Sequence, residues 1–225
     1  GIRKCSRFYW WNDSKRKILS AAEVYGILAA YGIPAAPWKI VDSANGAVKA
    51  AQEIGFPVVI KADSESIVHK SDVGGVAVNL TDKAAVEKTV KAMTNKFGEK
   101  GLKFFVQKFM PGGREVIVGA KSEHGLGHMI MFGLGGVNVE LFKDVSFEIT
   151  PVSDAEAKQM LSSIKAYPLL SGFRGAKGVN QKKLVEAIQR ISQLVMDLPA
   201  IQEMDLNPII AYEDSICVVD ARISI

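Results

Sequence analysis

The sequence has little of what marks several common protein classes. Only two of its 225 residues are cysteine, too few to form a metal framework by themselves. No run of 18 or more apolar residues occurs, which predicts no membrane-spanning helix. The aromatic stretch at residues 8–11 is far too short for the apolar core of a secretory signal. We therefore expect no membrane partner and a reducing, cytoplasmic location.

Familiar catalytic and nucleotide-binding motifs are also missing. The chain has no GxxxxGK[ST] and no GxGxxG, so neither a P-loop nor a Rossmann nucleotide site is indicated. It has no HExxH, CxxC or GxSxG, which leaves hydrolase and structural-zinc interpretations with little support. His124 and His128 are four residues apart, but Gly125 and Gly127 lie between them and favour a hairpin loop over a metal-binding helix.

Positive charge is concentrated at one end of the chain. The formal net charge is +4, from 28 basic and 24 acidic residues. Residues 1–17 hold six of the basic residues and one of the acidic residues, which leaves 22 basic and 23 acidic residues in the remainder. The body is therefore close to neutral and has no basic stripe, so we expect no nucleic-acid partner. We treat residues 1–17 as a basic tail.

Helical and strand patterns alternate along the rest of the chain. Residues 181–197 give the clearest helix, because Leu184, Ile188 and Ile191 recur at helical spacing. Other helices are predicted at 20–31, at 47–54 and after 82, and strands at 58–60, 76–80, 104–109, 114–120 and 129–132. Hairpins mixed with helices predict an α+β fold, with an N-terminal lobe at 18–106 and a C-terminal lobe at 107–225.

The last two predicted strands, at 206–212 and 215–221, are the most informative feature. A two-residue turn at Glu213-Asp214 would place Asn207 directly opposite Asp220, with their Cβ atoms about 4.5–5.5 Å apart. An amide oxygen and a carboxylate are hard ligands suited to the Mg²⁺ that accompanies a nucleotide phosphate. A longer turn would separate the pair. The alternative without a metal has Asn207 in a turn before Pro208 and Asp220 capping a strand end, and spacing alone leaves both open.

Polar groups also follow an earlier apolar run. Lys61 comes at the end of the run at 58–60, where its ammonium group could pair with a phosphate; a lysine that reaches into water is the alternative. His69 precedes Gly74 and Gly75, whose N–H groups could approach a phosphate. His69 is therefore a candidate phosphoryl acceptor or acid–base group, and a surface-loop histidine is the alternative.

Seven segments, taken in order, resemble those of a known family. They are YGIP at 31–34, GFPVVIKADS at 55–64, VHKSDVGGV at 68–76, FMPGGREVIVGA at 109–120, FGLGGVNVE at 132–140, GFRG at 172–175, and DLNPII at 205–210 with VVDAR at 218–222. Together they resemble the ATP-grasp subunit of ADP-forming acyl-CoA synthetases. The nearest group is the β subunit of ADP-forming acetyl-CoA synthetase, a relative of the succinyl-CoA synthetase β subunit.

This resemblance implies an ATP-grasp fold, in which two α+β lobes hold the nucleotide between them, with ATP/ADP and Mg²⁺ as cofactors. It implies an acid–thiol ligase with the reaction acyl-CoA + ADP + phosphate ⇌ carboxylic acid + CoA + ATP. The phosphoryl group is carried by a phosphohistidine. That histidine, the CoA site and the acyl site belong to a partner α subunit or domain.

The resemblance also assigns roles to individual residues. Asn207 and Asp220 would hold Mg²⁺, and Asp205 would receive the phosphohistidine. His69 matches a histidine proposed in this subgroup as a second, transient phosphoryl carrier. The nucleotide would be contacted by Lys61 at the phosphates, by Gln107, Lys108, Phe109 and Met110 at the adenine hinge, by Glu115 at the ribose or adenine, and by Gly133, Gly135, Gly136 and Glu140 on the phosphate side.

The chain departs from the family pattern in its first helix and its hinge. It has Val24-Tyr25 where the family commonly has Ala-Lys, and the hinge begins with Gln107 where Glu is frequent. The same domain also occurs fused to acetyltransferases, so a regulatory module of a protein acetyltransferase is the alternative function. A stand-alone carboxylate–amine ligase is disfavoured because the chain shows no motif for an acyl-phosphate pocket.

Overall fold

A computed structural model of the chain describes residues 18–63, 74–98, 101–135, 144–173 and 175–225. The helices in these ranges are α1 (Ala21–Ala30), α2 (Ala44–Ile54), α3 (Lys83–Phe97), α4 (Asp154–Ser163), α5 (Tyr167–Ser171) and α6 (Gln181–Asp197). The strands are β1 (Trp38–Val41), β2 (Val58–Asp63), β3 (Val76–Leu80), β4 (Lys103–Lys108), β5 (Arg114–Glu123), β6 (Gly127–Leu134), β7 (Val145–Ile149), β8 (Gly172–Phe173), β9 (Ala176–Lys177), β10 (Glu203–Ala211), β11 (Ile216–Val218) and β12 (Ala221–Ser224). Helices packed on antiparallel sheets confirm the expected α+β class.

The chain divides into two compact units. One is Ala36–Pro111, and the other joins residues 18–35 to Gly112–Ile225. This division differs from the lobes expected at 18–106 and 107–225. Helix α1 belongs with the C-terminal segment because it buries an apolar face against β12, and the Leu19 N–H donates to the Ile223 carbonyl at 2.9 Å.

The unit Ala36–Pro111 is built on a four-stranded antiparallel sheet in the order β1-β4-β2-β3. Helices α2 and α3 cover one face, where Ala51 and Val90 pack with Ile60 and Val106. Helix α3 begins where the Asp82 side chain accepts a hydrogen bond from the backbone of its first turn. The opposite face of the sheet carries the alternate side chains of β1, β2 and β4.

The other unit is built on a six-stranded sheet in the order β11-β10-β5-β6-β7, with β12 also pairing with β10. Helix α6 covers one face through a stripe of fully buried residues that includes Leu184, Ile188 and Ile191, and α4 packs beside it. The helix predicted at 181–197 is thus confirmed. Across the described ranges, no helix has the length and apolar character needed to cross a membrane.

Candidate functional site

The C-terminal hairpin has the register that the sequence predicts. Strand β10 pairs antiparallel with β11 through Ile209 opposite Val218, and with β12 through Asp205 opposite Arg222. Between these segments the Asn207 N–H donates to the Asp220 carbonyl at 3.1 Å. The two-residue turn at Glu213-Asp214 and the pairing of Asn207 with Asp220 are therefore confirmed, and both residues are exposed.

Pro208 explains why the hairpin is irregular at this point. It lies in β10, between two neighbouring strands, and it has no N–H group to donate to a sheet. The register between β10 and β5 shifts between Leu206 and Ile209, so that Asn207 and Pro208 together face the single residue Ile117. A bulge of this kind re-aims the side chains beside it. The candidate metal ligand Asn207 lies in the bulge.

The hairpin is also acidic at this position. Burial is the main cause of the raised pKa of Asp205, the negative charges of Asp220 and Glu203 raise it further, and Arg222 acts in the opposite direction. A divalent cation would relieve the repulsion between Asp205 and Asp220. Among the described residues, no three or more His, Cys, Asp and Glu side chains form a metal site. The donor set still fits Mg²⁺, which binds proteins through one or two carboxylates and completes its shell with phosphates and water.

Glu115 and Gly135 lie side by side in the same sheet. Glu115 is exposed on β5, and its backbone carbonyl accepts a hydrogen bond from the Gly135 N–H at 2.6 Å. A Cβ atom on Gly135 would lie 2.9 Å from the Cβ of Glu115 and 3.0 Å from its carbonyl carbon. Only glycine allows this close approach of the two backbones.

Lys61 lies within a strand, not at the end of one. Strand β2 continues to Asp63, and the Lys61 ammonium group is 5.8 Å from the centre of the Phe105 ring. The Phe105 ring in turn stacks on Trp38, with centroids 5.4 Å apart and an interplanar angle of 15°. Lys61 is half-buried, so a cation–π contact orients its charge. This arrangement differs from a lysine that simply extends into water.

Gly74 and Gly75 lead into β3 next to Lys61. The Gly75 carbonyl accepts a hydrogen bond from the Ala62 N–H at 2.8 Å, and Val76 pairs with Lys61. Gly74 has a φ of +68°, a left-handed conformation that favours glycine. The two glycines and the lysine thus lie at neighbouring positions of one sheet.

The predicted adenine hinge at 107–110 begins at the end of β4. Gln107 is fully buried. The N–H of Lys108 donates to the Pro37 carbonyl at 2.8 Å and that of Phe109 to the Pro57 carbonyl at 3.0 Å. The Lys108 ammonium group donates to the carbonyl oxygens of residues 55 and 56 at 2.9 and 2.7 Å. The Lys108 side chain therefore ties the hinge to the turn before β2. Met110, the last residue of the predicted hinge, is half-buried.

Some predicted residues lie outside the described ranges, namely His69, Gly136 and Glu140. The expectation for the other two histidines is confirmed. His124 lies in the turn between β5 and β6, and the buried His128 is 2.7 Å from the Ile201 carbonyl through its Nε2 atom. Arg222 was missed by the sequence reasoning. The hairpin register, extended by two residues, places it opposite Asp205 and would have revealed it.

A profile of the ATP-grasp domain matches residues 11–225 of the chain. The chain therefore belongs to the ATP-grasp family, as the sequence resemblance predicted. Among its relatives is the β subunit of the ADP-forming acetate–CoA ligase I of Pyrococcus furiosus, which is 43% identical over 93% of this chain and 92% of the relative. The ADP-forming 4-hydroxybutyrate–CoA ligase of Nitrosopumilus maritimus is 45% identical over 88% of this chain, which spans 29% of that longer protein.

A solved structure supports the same relationship. The dinucleotide-forming acetyl-coenzyme A synthetase 1 of Ca. Korarchaeum cryptofilum matches with a TM-score of 0.84 and 43% identity, over 93% of this chain and 93% of the other. It was solved in complex with coenzyme A and Mg-AMPPCP, with its phosphohistidine segment pointing towards the nucleotide-binding site. The fold and sequence of this chain are thus similar to those of this synthetase and of the ADP-forming ligases.

Proposed function

We propose that this chain is the nucleotide-binding ATP-grasp subunit of an ADP-forming acyl-CoA synthetase. In this role it transfers a phosphoryl group between ATP/ADP and a phosphohistidine on a partner α subunit or domain, which also holds the CoA and acyl sites. The pairing of Asn207 with Asp220 carries the proposal, in a chain 43% identical over 93% of its length to the β subunit of such a ligase. We assign the reaction to the cytoplasm, where ATP and CoA are available.

Phosphoryl transfer needs in-line positioning and neutralised charge more than covalent help from the protein. Mg²⁺, when bound, supplies positive charge at the phosphate oxygens. Asn207 and Asp220 would hold it by their oxygen atoms. Asp205 would accept a hydrogen bond from the imidazole of the phosphohistidine, which fixes the tautomer of the ring and stabilises its cationic form. Because Asp205 is partly buried, this pairing is stronger than it would be in water.

The four-stranded sheet supplies further nucleotide contacts in this proposal. The Lys61 ammonium group, held over Phe105, would neutralise phosphate charge in a fixed position, which is what electrostatic catalysis requires. The N–H groups of Lys108 and Phe109 are already used within the protein. We therefore assign adenine recognition to other backbone groups of the hinge, with the Lys108 side chain supporting its position.

The acyl group is expected to be recognised by the partner. Two relatives with similar identity to this chain, 43% and 45%, are named for different acids, acetate and 4-hydroxybutyrate. Identity to this chain therefore does not single out either acid. This agrees with a division of labour in which this chain handles the nucleotide and the partner handles the carboxylic acid and CoA.

The test is phosphorylation of the partner by radiolabelled Mg·ATP, after co-purification of the complex from the native source. Asp220→Ala should reduce phosphorylation by at least about 10²-fold, because it removes a charged metal ligand from the site of transfer. Mass spectrometry should identify the co-purified chain as an α subunit of the CoA-ligase type.

Glu213→Ala is the matched control, because Glu213 is a carboxylate at the exposed tip of the same hairpin and its partner is Lys177 at 3.0 Å. We expect this variant to phosphorylate the partner at the wild-type rate. Near-normal phosphorylation by Asp220→Ala would refute the metal assignment. A co-purified acetyltransferase in place of the α subunit would favour the regulatory alternative.

A further inference from the structure

The buried phenol of Tyr25, on helix α1, contacts the loop that contains Asp220. Tyr25 is only 3% exposed, and its hydroxyl group donates to the Val219 carbonyl at 3.2 Å. Val219 and Asp220 lie between β11 and β12, where the strand pairing with β10 is interrupted. A contact from a side chain 194 positions away thus reaches the residue immediately before a candidate metal ligand.

Backbone hydrogen bonds tie the segment around Asp220 to its neighbours. The Val219 N–H donates to the Pro208 carbonyl at 3.2 Å, and the Asp220 carbonyl accepts from the Asn207 N–H at 3.1 Å. These two bonds tie the segment to β10. The hydrogen bond from Tyr25 acts on the carbonyl of the peptide that joins Val219 to Asp220, so it restrains the rotation of that peptide. The direction of the Asp220 side chain depends on this rotation.

We propose that Tyr25 is a positioning residue that orients Asp220 for divalent-cation binding. This inference rests on the proposed function, because Asp220 is assigned there as a metal ligand. Residues that hold a metal ligand in place typically contribute about 10- to 100-fold to metal affinity. Tyr25 acts on the ligand through one backbone peptide, so we expect an effect at the lower end, about tenfold.

The experiment measures binding of Mn²⁺, as a probe for Mg²⁺, by the electron paramagnetic resonance signal of the free ion. The full chain carries one equivalent of a non-hydrolysable ATP analogue, and the Mn²⁺ bound by the analogue alone is measured separately and subtracted, so the readout depends neither on free nucleotide nor on turnover. Tyr25→Phe removes only the hydroxyl group and should raise the dissociation constant for Mn²⁺ about tenfold. Tyr25→Lys, which restores a hydrogen-bond donor, should stay within about threefold of the wild type and also serves if Tyr25→Phe fails to fold.

Tyr31→Phe is the matched control. Tyr31 follows the last residue of the same helix, and its phenol donates at 3.0 Å to a carboxylate oxygen of Asp197, the last residue of α6. The same chemical change there should leave Mn²⁺ affinity unchanged. A double-mutant cycle with Asp220→Ala separates positioning from general loosening, because the effect of Tyr25→Phe should disappear once position 220 has no oxygen ligand to orient.

The outcomes separate the two proposals. Wild-type affinity in Tyr25→Phe, combined with a large loss in Asp220→Ala, would overturn the role of Tyr25 and leave the metal site standing. An equal loss from Tyr25→Phe with and without Asp220→Ala would also overturn it. A wild-type protein that binds the nucleotide analogue but no Mn²⁺ would instead contradict the metal assignment of the proposed function.

Discussion

The close approach of Gly135 to β5 gives a sharp prediction. Alanine at this position would place its Cβ 2.9 Å from the Glu115 Cβ, 3.0 Å from its carbonyl carbon and 3.1 Å from its carbonyl oxygen. Comfortable carbon contacts are about 3.5–4.0 Å, so the two backbones must separate by about half an ångström or more. Two of the three atoms in the way belong to the backbone of Glu115. A change of side-chain rotamer therefore cannot relieve the clash.

The expected cost of Gly135→Ala follows from two contributions. Overpacking of this kind costs about 1–3 kcal/mol. Separation of the backbones also weakens the 2.6 Å hydrogen bond from the Gly135 N–H to the Glu115 carbonyl, which contributes about 0.5–1.5 kcal/mol. We therefore expect the free energy of unfolding to fall by about 2–4 kcal/mol. Because Glu115 and Gly135 are both candidate nucleotide contacts, the KM for ATP should rise as well.

Gly26→Ala provides the control with the opposite sign. Gly26 lies inside helix α1, and nothing lies within 4 Å of the position that its Cβ would occupy. Alanine is favoured over glycine in a helix by about 0.8–1.0 kcal/mol, so this variant should be more stable by about that amount. Urea unfolding followed by circular dichroism compares both variants with the wild type. Unfolding free energies of the Gly135 variant within 0.5 kcal/mol of the wild type would refute the steric argument.

Two further predictions concern a half-buried cation and a buried thiol. Lys61→Ala should lower kcat/KM for phosphoryl transfer on the order of 10²–10³-fold, since one preorganised electrostatic group is lost. Lys83→Ala, at the exposed start of α3, is the control. Equal rates for the two variants would contradict the role of Lys61. Burial raises the pKa of the Cys217 thiol from 9.0 to about 11. At pH 8 the native thiolate fraction is then about 100-fold below that of the unfolded chain. In a Cys5→Ser background, a disulfide reagent should label Cys217 about 100-fold more slowly in the native protein than in the unfolded protein. Equal labelling rates before and after unfolding in urea would show that the thiol is not protected.

The C-terminal hairpin could be predicted from the sequence because two local rules agree there. The turn at Glu213-Asp214 has two residues, which fixes the register of both strands, and opposed positions then share a face of the sheet. The register holds on both sides of Pro208 because the interruption affects β10 and its partner equally, with Asn207 still bonded to Asp220. The same register also predicts that Arg222 lies opposite Asp205. The roles of the paired residues remain predictions.

Several other elements are absent from the sequence-based predictions. Strand β1 has only four residues, none of them fully buried, and its Trp38 stacks on Phe105, a residue distant in sequence. Helix α4 has a capping box at Ser153 and Glu156, a signal that was present in the sequence but unused. The membership of α1 in the C-terminal unit depends on long-range packing, which no local pattern reports. The contact of Tyr25 with Val219 is also a long-range contact that no local pattern predicts.

Pro208 links the irregular hairpin to the contact made by Tyr25. A proline between two neighbouring strands forces a bulge against β5, because it has no N–H group for the ladder. The bulge turns Asn207 out of the regular alternation, and the partner segment at Val219 and Asp220 leaves regular strand geometry at the same level. A segment without regular strand pairing is held by other hydrogen bonds, and the one donated by the phenol of Tyr25 is among them. In the proposed metal site, the irregularity that interrupts the strand pairing at Asn207 and Asp220 is thus the reason why we expect a residue of the first helix to orient Asp220.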